Sequence, residues 1–194
     1  MTLPRLIVLT DRTQIPADRT LPETVAACVR GGATHIVMRE LDLNDEARAA
    51  LAAELVRIQG LVLITARAWF PGSSAVHFPA SGPVFSGPGF HGRSCHDEAE
   101  VRRAVAAGAA YATVSPAAPS DSKPGYGPPL GAPGVNRLAA SAGSMPVFAL
   151  GGVGPANARS FRDAGAYGVA VMGALMRADD PGVVTEGLLA EVNQ

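Results

Sequence analysis

The chain has 194 residues, with few aromatic side chains, two cysteines and a net charge of only −1. Because neither sign of charge is in excess, we expect no nucleic-acid partner and no anionic membrane partner. Cys28 and Cys95 are too far apart in the sequence for a CxxC metal motif, and a disulfide framework is not expected. No apolar run approaches the roughly 20 residues that cross a bilayer, and the apolar run near the N-terminus is too short for a signal peptide. These absences predict a globular protein of the reducing cytoplasm, and they leave homo-oligomer formation open.

The chain does contain a regular alternation of short, β-branched apolar runs with alanine-rich amphipathic segments. This alternation is typical of βα units around a parallel sheet. The strand candidates are residues 6–10, 35–38, 61–65, 75–78, 90–94, 110–115, 146–150 and 168–172. Eight similar units favour a compact (β/α)₈ TIM barrel, and we predict one such domain over residues 1–194. An open doubly wound sheet is the alternative, but no glycine-rich dinucleotide turn follows the first strand.

The helix signals between these strands are less even. Thr20 and Glu23 form a capping-box pattern before a helix that should end at the Gly31-Gly32 pair. The predicted helices cover residues 21–30, 44–59, 97–107, 135–142, 155–164 and 185–192. Residues 67–74 leave room for about one helical turn, and residues 79–89 are rich in Pro, Gly and Ser, so some βα units should lack a full helix.

The strongest local signal is the segment ALGGVGPAN at 149–157, where an apolar strand runs through Gly151 and Gly152 into a helix start. Glycines let backbone N–H groups approach an anion closely. A second strand then ends at Met172-Gly173, and barrels often bind phosphate between the loops after strands seven and eight. We therefore predict a substrate-phosphate site at these four residues, with an ordinary glycine turn as the alternative.

The loop at 116–134 is long for a compact barrel, and such loops are usually functional. Ser120, Ser122 and Lys123 offer two hydroxyl groups and one cation within it. The loop is therefore predicted to be a substrate-binding clamp, with a solvated surface loop as the alternative.

Other polar residues also fall at strand ends, where they should face the barrel mouth. Arg39 is a candidate phosphate partner because its planar guanidinium suits that anion, although it could instead pair with Glu40 or Asp11. Glu40 and His77 are the candidate acid/base groups, with a structural histidine as the alternative for His77. Ser94 follows strand five, and Cys95 beside it is either a reactive thiolate or a small buried hydrophobe.

Several segments resemble the thiamine phosphate synthase/TenI family of barrel proteins in order and spacing. They are LIVLTD (6–11), GGATHIVMRE (31–40), AVHF (75–78), GRSCH (92–96), PSDSKPGYGPPLG (119–131), FALGGVGPAN (148–157) and AGAYGVAVMGAL (164–175). In this family the synthase joins a hydroxymethylpyrimidine diphosphate to a thiazole phosphate and releases pyrophosphate. The resemblance implies that Gly152 and Met172-Gly173 hold the thiazole phosphate. It also implies that Ser120 and Ser122 stand where the family's loop hydroxyl groups assist substrate binding. Arg39, Ser94 and Lys123 would stand where the family binds the diphosphate.

The departures from the family pattern affect the expected reaction. The family's QLREK motif has glutamine and lysine where this chain has Val37 and Leu41. Two aspartates that bind Mg²⁺ in the synthases follow strands three and four, where this chain has Ala66 and the loop 79–82. A TenI-like thiazole tautomerase needs no metal, so we expect that activity first, with no cofactor. Its histidine at the end of strand six aligns with Pro116 here, which leaves Glu40 or His77 as the proton carrier.

Two alternatives remain at this point. One is a thiamine phosphate synthase, the only reading that calls for Mg²⁺. The other is a non-catalytic regulator that binds the thiazole phosphate.

Overall fold

Eight parallel strands close into a barrel in which each strand pairs with the next along the chain and β8 pairs with β1. The computed structural model describes residues 3–120 and 128–194. The strands are β1 (Leu6–Leu9), β2 (His35–Met38), β3 (Val62–Ala66), β4 (Ala75–Phe78), β5 (Phe90–Cys95), β6 (Tyr111–Val114), β7 (Val147–Leu150) and β8 (Gly168–Val171). The predicted (β/α)₈ barrel is therefore confirmed, and the open sheet is excluded.

The strands alternate their side chains between the barrel interior and the layer beneath the helices, as the period of two requires. Ile7, Val37, Ile64, Tyr111 and Phe148 belong to one interior cluster. A larger apolar cluster lies between the sheet and the helices, and it accounts for the near-continuous apolar character of the strands.

The helices that surround the barrel are α1 (Leu21–Arg30), α2 (Asp45–Leu55), α3 (Glu98–Ala106), α4 (Gly131–Ser141), α5 (Ala158–Asp163), α6 (Gly173–Met176) and α7 (Pro181–Val192). The capping box of α1 is present, with Thr20 and Glu23 each bonded to the other's backbone. Four predicted boundaries were wrong by several residues. α2 ends at Leu55 rather than 59, and α5 begins at Ala158 rather than 155. α4 begins at Gly131 rather than 135, and α7 begins four residues early because Asp180 caps it.

Two βα units have no helix, and a buried arginine lies beside each of them. Arg48 of α2 donates to the carbonyl of Ala66 and lies over the ring of Phe70, which follows β3. Arg93 of β5 donates to the carbonyl of Gly82 at 2.9 Å and to the carbonyl of Pro83. These contacts hold the segments that follow β3 and β4.

None of the helices in residues 3–120 and 128–194 is long and apolar enough to cross a membrane.

Candidate functional site

A pocket of about 800 Å³ opens at the carboxyl ends of the strands. Its walls come from the loops that follow the strands, as in other barrels of this kind. Eight predicted site residues line it: Arg39, His77, Ser94, Ser120, Gly151, Gly152, Met172 and Gly173. The fold therefore brings most of the predicted positions to one cavity, while Ser122 and Lys123 lie outside the described residues.

The turn after β7 requires glycine for two reasons. Gly151 and Gly152 have backbone φ angles of +93° and +65°, a region that other residues rarely adopt. A Cβ on Gly152 would also lie 2.2 Å from the carbonyl oxygen of Pro119. The turn therefore packs directly against the loop that leaves β6, and the two segments together form one wall of the pocket.

The loop after β7 also meets the start of α6. A Cβ placed on Gly154 would lie 3.8 Å from the Cβ of Ala174, and both residues line the pocket. The first N–H groups of a helix have no acceptor within it, so those of Gly173 and Ala174 are available to a ligand. Gly152, Gly154, Gly173 and Ala174, which we call the glycine cradle, thus form a surface of small residues beside the pocket.

Arg39 extends from the end of β2 across β1 to the end of β8. Its Nη1 lies 2.7 Å from the Sδ atom of Met172, and its side chain makes no ion pair with any described carboxylate. A thioether is a weak acceptor. The guanidinium is therefore available to a stronger acceptor, such as a phosphate oxygen.

His77 lies between Tyr111 and Ser94 at the inner end of the pocket. Its Nδ1 is 3.0 Å from the Tyr111 hydroxyl, and its Nε2 is 2.9 Å from the Ser94 hydroxyl. Burial, with a smaller contribution from the charge of Arg39, lowers the pKa of His77 to about 4. Near neutral pH the imidazole is therefore uncharged, and it positions the pocket-lining hydroxyl of Ser94.

Glu40 does not line the pocket, although it was predicted as a catalytic residue. It is 3% exposed, and its carboxylate accepts from the Thr10 hydroxyl at 2.7 Å and from the Arg12 backbone N–H at 3.2 Å. The Arg12 guanidinium lies 3.6 Å away. The alternative pairing of Arg39 with Glu40 or Asp11 is absent from the described ion pairs, and Glu40 pairs with Arg12 instead.

Three further basic residues line the pocket but were not among the predicted site residues: Arg67, His96 and Arg177. His96 Nδ1 is 2.9 Å from the carbonyl oxygen of Ser115. Position directly after strands β3 and β5 was a usable signal for Arg67 and His96. Cys95, in contrast, points away from the pocket into the outer core, where burial raises its pKa to about 12 and keeps the thiol protonated.

The described residues do not fit a Mg²⁺ site. Mg²⁺ prefers carboxylate oxygens shared with substrate phosphates. No Asp or Glu occurs among the pocket-lining residues within 3–120 and 128–194, and that part of the chain has no cluster of potential metal ligands. Its charged side chains at the pocket are arginines.

The fold and pocket define a (β/α)₈ barrel protein with a basic, glycine-lined mouth. The family model described as thiamine monophosphate synthase matches residues 84–175. The thiamine-phosphate synthase of Salinispora tropica is 36% identical over 182 residues, which cover 94% of this chain and 79% of that protein. The putative thiamine-phosphate synthase of Geobacter sulfurreducens is 33% identical, with 95% and 92% covered. The chain therefore belongs to the thiamine phosphate synthase family.

A solved structure agrees with the barrel topology. The thiamine phosphate pyrophosphorylase of Pyrococcus furiosus superposes with a TM-score of 0.84 at 24% identity, covering 97% of this chain and 95% of that one. At this identity the likeness supports the fold alone. The names of the sequence relatives favour the synthase alternative over the tautomerase that the sequence departures had suggested.

Proposed function

We propose that this protein is a thiamine-phosphate synthase that transfers a hydroxymethylpyrimidine group from its diphosphate to a thiazole phosphate. The relatives named above support this reaction class. The observation that carries the proposal is a pocket with two features suited to anions, the glycine cradle on one side and the Arg39 guanidinium beside it.

The glycine cradle suits the phosphate of the thiazole substrate. Its small residues let a phosphate approach the backbone N–H groups closely. The loop after β6, which packs on Gly152, places Ser120 at the same pocket. A phosphate held there would leave the thiazole ring directed toward the centre of the cavity.

The arginine suits the departing diphosphate. In the transfer, the bond from the pyrimidine methylene carbon to the diphosphate oxygen breaks and its electron pair leaves with the diphosphate. The thiazole ring nitrogen supplies the pair for the new carbon–nitrogen bond. Negative charge therefore grows on the diphosphate, and a fixed guanidinium stabilises that charge without reorganising.

The site suits a proton-transfer reaction, as in the tautomerase, less well than it suits the group transfer. A general base works best with a pKa near the operating pH, whereas burial and the charge of Arg39 lower the pKa of His77 to about 4. Glu40, the other predicted proton carrier, is held by Thr10 and Arg12 away from the pocket. The transfer itself needs no such carrier on the protein.

The direct test is product formation from both substrates. We expect thiamine phosphate and pyrophosphate when the protein is incubated with hydroxymethylpyrimidine diphosphate and thiazole phosphate, measured by chromatography. Arg39→Gln should lower kcat by roughly 10²-fold, the usual effect of removing one charge-stabilising group. Arg57→Gln, an exposed change after α2 and outside the pocket lining, is the matched control and should keep full activity.

A lack of product under all conditions would reject the synthase. Deuterium exchange from solvent into a thiazole carboxylate phosphate would then identify the tautomerase. Tight binding of thiazole phosphate without either reaction would identify the regulator.

A further inference from the structure

We propose that Arg39 and Arg67 form a metal-independent subsite for a diphosphate, with Arg67 supplying the charge that a divalent cation would otherwise provide. The diphosphate as occupant rests on the proposed transfer reaction. The involvement of Arg67 rests on its own geometry and on the absence of carboxylates from the described part of the pocket lining.

The backbone of Arg67 has an unusual conformation. Its φ is +66°, and it is the one non-glycine residue with positive φ in residues 3–120 and 128–194. Glycine would adopt this conformation without strain. Strained residues of this kind cluster at ligand sites, where the surrounding structure holds them in place.

Two backbone hydrogen bonds hold this conformation, one to the neighbouring strand β4 and one within the turn itself. The Arg67 N–H donates to the carbonyl of His77 at 2.9 Å, and the next residue, Ala68, donates to the carbonyl of Ala66 at 2.8 Å. These bonds set the direction in which the Arg67 side chain leaves β3. The side chain is exposed and lines the pocket.

The position of Arg67 in the barrel complements that of the glycine cradle. β3 lies four strands from β7 in a closed ring of eight, so Arg67 is on the wall opposite Gly152. Arg39 starts from the neighbouring β2, and its guanidinium reaches Met172 at the end of β8, beside the cradle. A ligand with a phosphate in the cradle and a second anionic group near Arg67 would have cations beside both ends.

The electrostatics favour an anion over a cation in this pocket. Arg39 and Arg67 line the pocket, and neither makes an ion pair with a described carboxylate. The field of Arg39 already contributes to the lowered pKa of His77. Two planar guanidinium groups can each bind phosphate oxygens in a bidentate manner. A divalent cation would be repelled by both groups and would find no carboxylate ligand among the described lining residues.

Inorganic pyrophosphate is the probe, and its binding is measured by calorimetry without the second substrate. We expect the affinity in EDTA to lie within tenfold of the affinity with Mg²⁺. Arg67→Gln should weaken binding at least fivefold relative to Arg57→Gln, because a charge-assisted hydrogen bond is lost. Arg67→Gly should weaken it equally while folding at least as well as the wild type, because it removes the positive-φ strain.

Two results would overturn the inference. One is a loss of affinity greater than tenfold when Mg²⁺ is removed, and the other is an Arg67→Gln variant that binds within fivefold of the Arg57→Gln control. Because no turnover is measured, metal-independent binding through Arg67 can stand even if no thiamine phosphate is formed. The inference and the proposed function can therefore fail separately.

Discussion

At the residue scale, Gly152 combines a conformational requirement with a steric one. Its φ is +65°, and a Cβ there would lie 2.2 Å from the Pro119 carbonyl oxygen. Gly152→Ala should therefore cost more than the roughly 1 kcal/mol of left-handed strain alone, and displace the loop after β6. We expect a loss of about 2–3 kcal/mol in urea unfolding, and at least tenfold weaker thiazole phosphate binding.

Gly108→Ala is the matched control for this prediction. Gly108 has a similar φ of +70°, but a Cβ there has no atom within 4 Å. Gly108→Ala should therefore lower the free energy of unfolding by only about 1 kcal/mol, the part that comes from left-handed backbone strain. Equal losses in the two variants would show that contact with the loop after β6 contributes nothing.

The protonation of His77 makes folding depend on pH. Burial and the charge of Arg39 lower its pKa to about 4, below the ordinary value of 6.5. The unfolded chain therefore binds a proton first as the pH falls. The contribution of neutral His77 to the free energy of unfolding is therefore complete above pH 6.5. It is lost progressively toward pH 4, by at most about 3 kcal/mol. Urea unfolding between pH 7.5 and 4.5 should show this decline, and His77→Gln should flatten it. If the stability of His77→Gln fell with pH as steeply as that of the wild type, His77 would not be the cause of the decline.

Position at a strand end was enough to predict which residues lie at the barrel mouth, but it did not show which way each side chain points. Arg39 and Glu40 are adjacent at the end of β2, and neighbouring residues of an extended chain point to opposite sides. That alternation could have separated Arg39, which faces the pocket, from Glu40, which pairs with Arg12. The positive φ of Arg67 could not be predicted, because nothing in a local pattern of Thr, Ala and Arg indicates it.

At the element scale, the strands were easier to predict than the helices. A barrel strand is buried on both faces, so its apolar run marks its length directly. Helix ends depend on caps and on tertiary contacts. Asp180 accepts from Gly182 and Val183 and begins α7 four residues before the predicted start. The buried arginines beside the two helix-free units could not be foreseen, because arginine in a sequence normally indicates an exposed position.

The loop between β4 and β5 should depend on Arg93. Its guanidinium donates to the Gly82 and Pro83 carbonyls and lies 5.6 Å from the centre of the Phe78 ring. Arg93→Met keeps much of the volume but removes charge-assisted bonds worth about 1.5–3 kcal/mol each. We expect a loss of about 2–4 kcal/mol and faster proteolysis within residues 79–89. Arg102→Met, at an exposed ion pair on α3, should change stability by less than about 1 kcal/mol. A similar loss in both variants would mean that Arg93 does not anchor the loop.

At the scale of the whole molecule, closure of the barrel brings the first and last helices together. Gly31, at the end of α1, approaches Gly182 in the first turn of α7, and a Cβ on Gly31 would lie 2.4 Å from the Gly182 carbonyl oxygen. The φ of Gly31 is −74°, so alanine there would meet a steric obstacle without backbone strain. This contact joins the two ends of the sequence beside the β1–β8 pairing.

Gly31→Ala and Gly187→Ala should therefore shift stability in opposite directions. The first forces α7 away from α1, and overpacking of this kind costs about 1–3 kcal/mol. Gly187 lies inside α7, where a Cβ would have no neighbour closer than 3.9 Å, so alanine should stabilise by about 0.5–1 kcal/mol. Urea unfolding followed by far-ultraviolet circular dichroism measures both changes. If Gly31→Ala were as stable as the wild type, the close approach of α1 and α7 would not limit closure of the barrel.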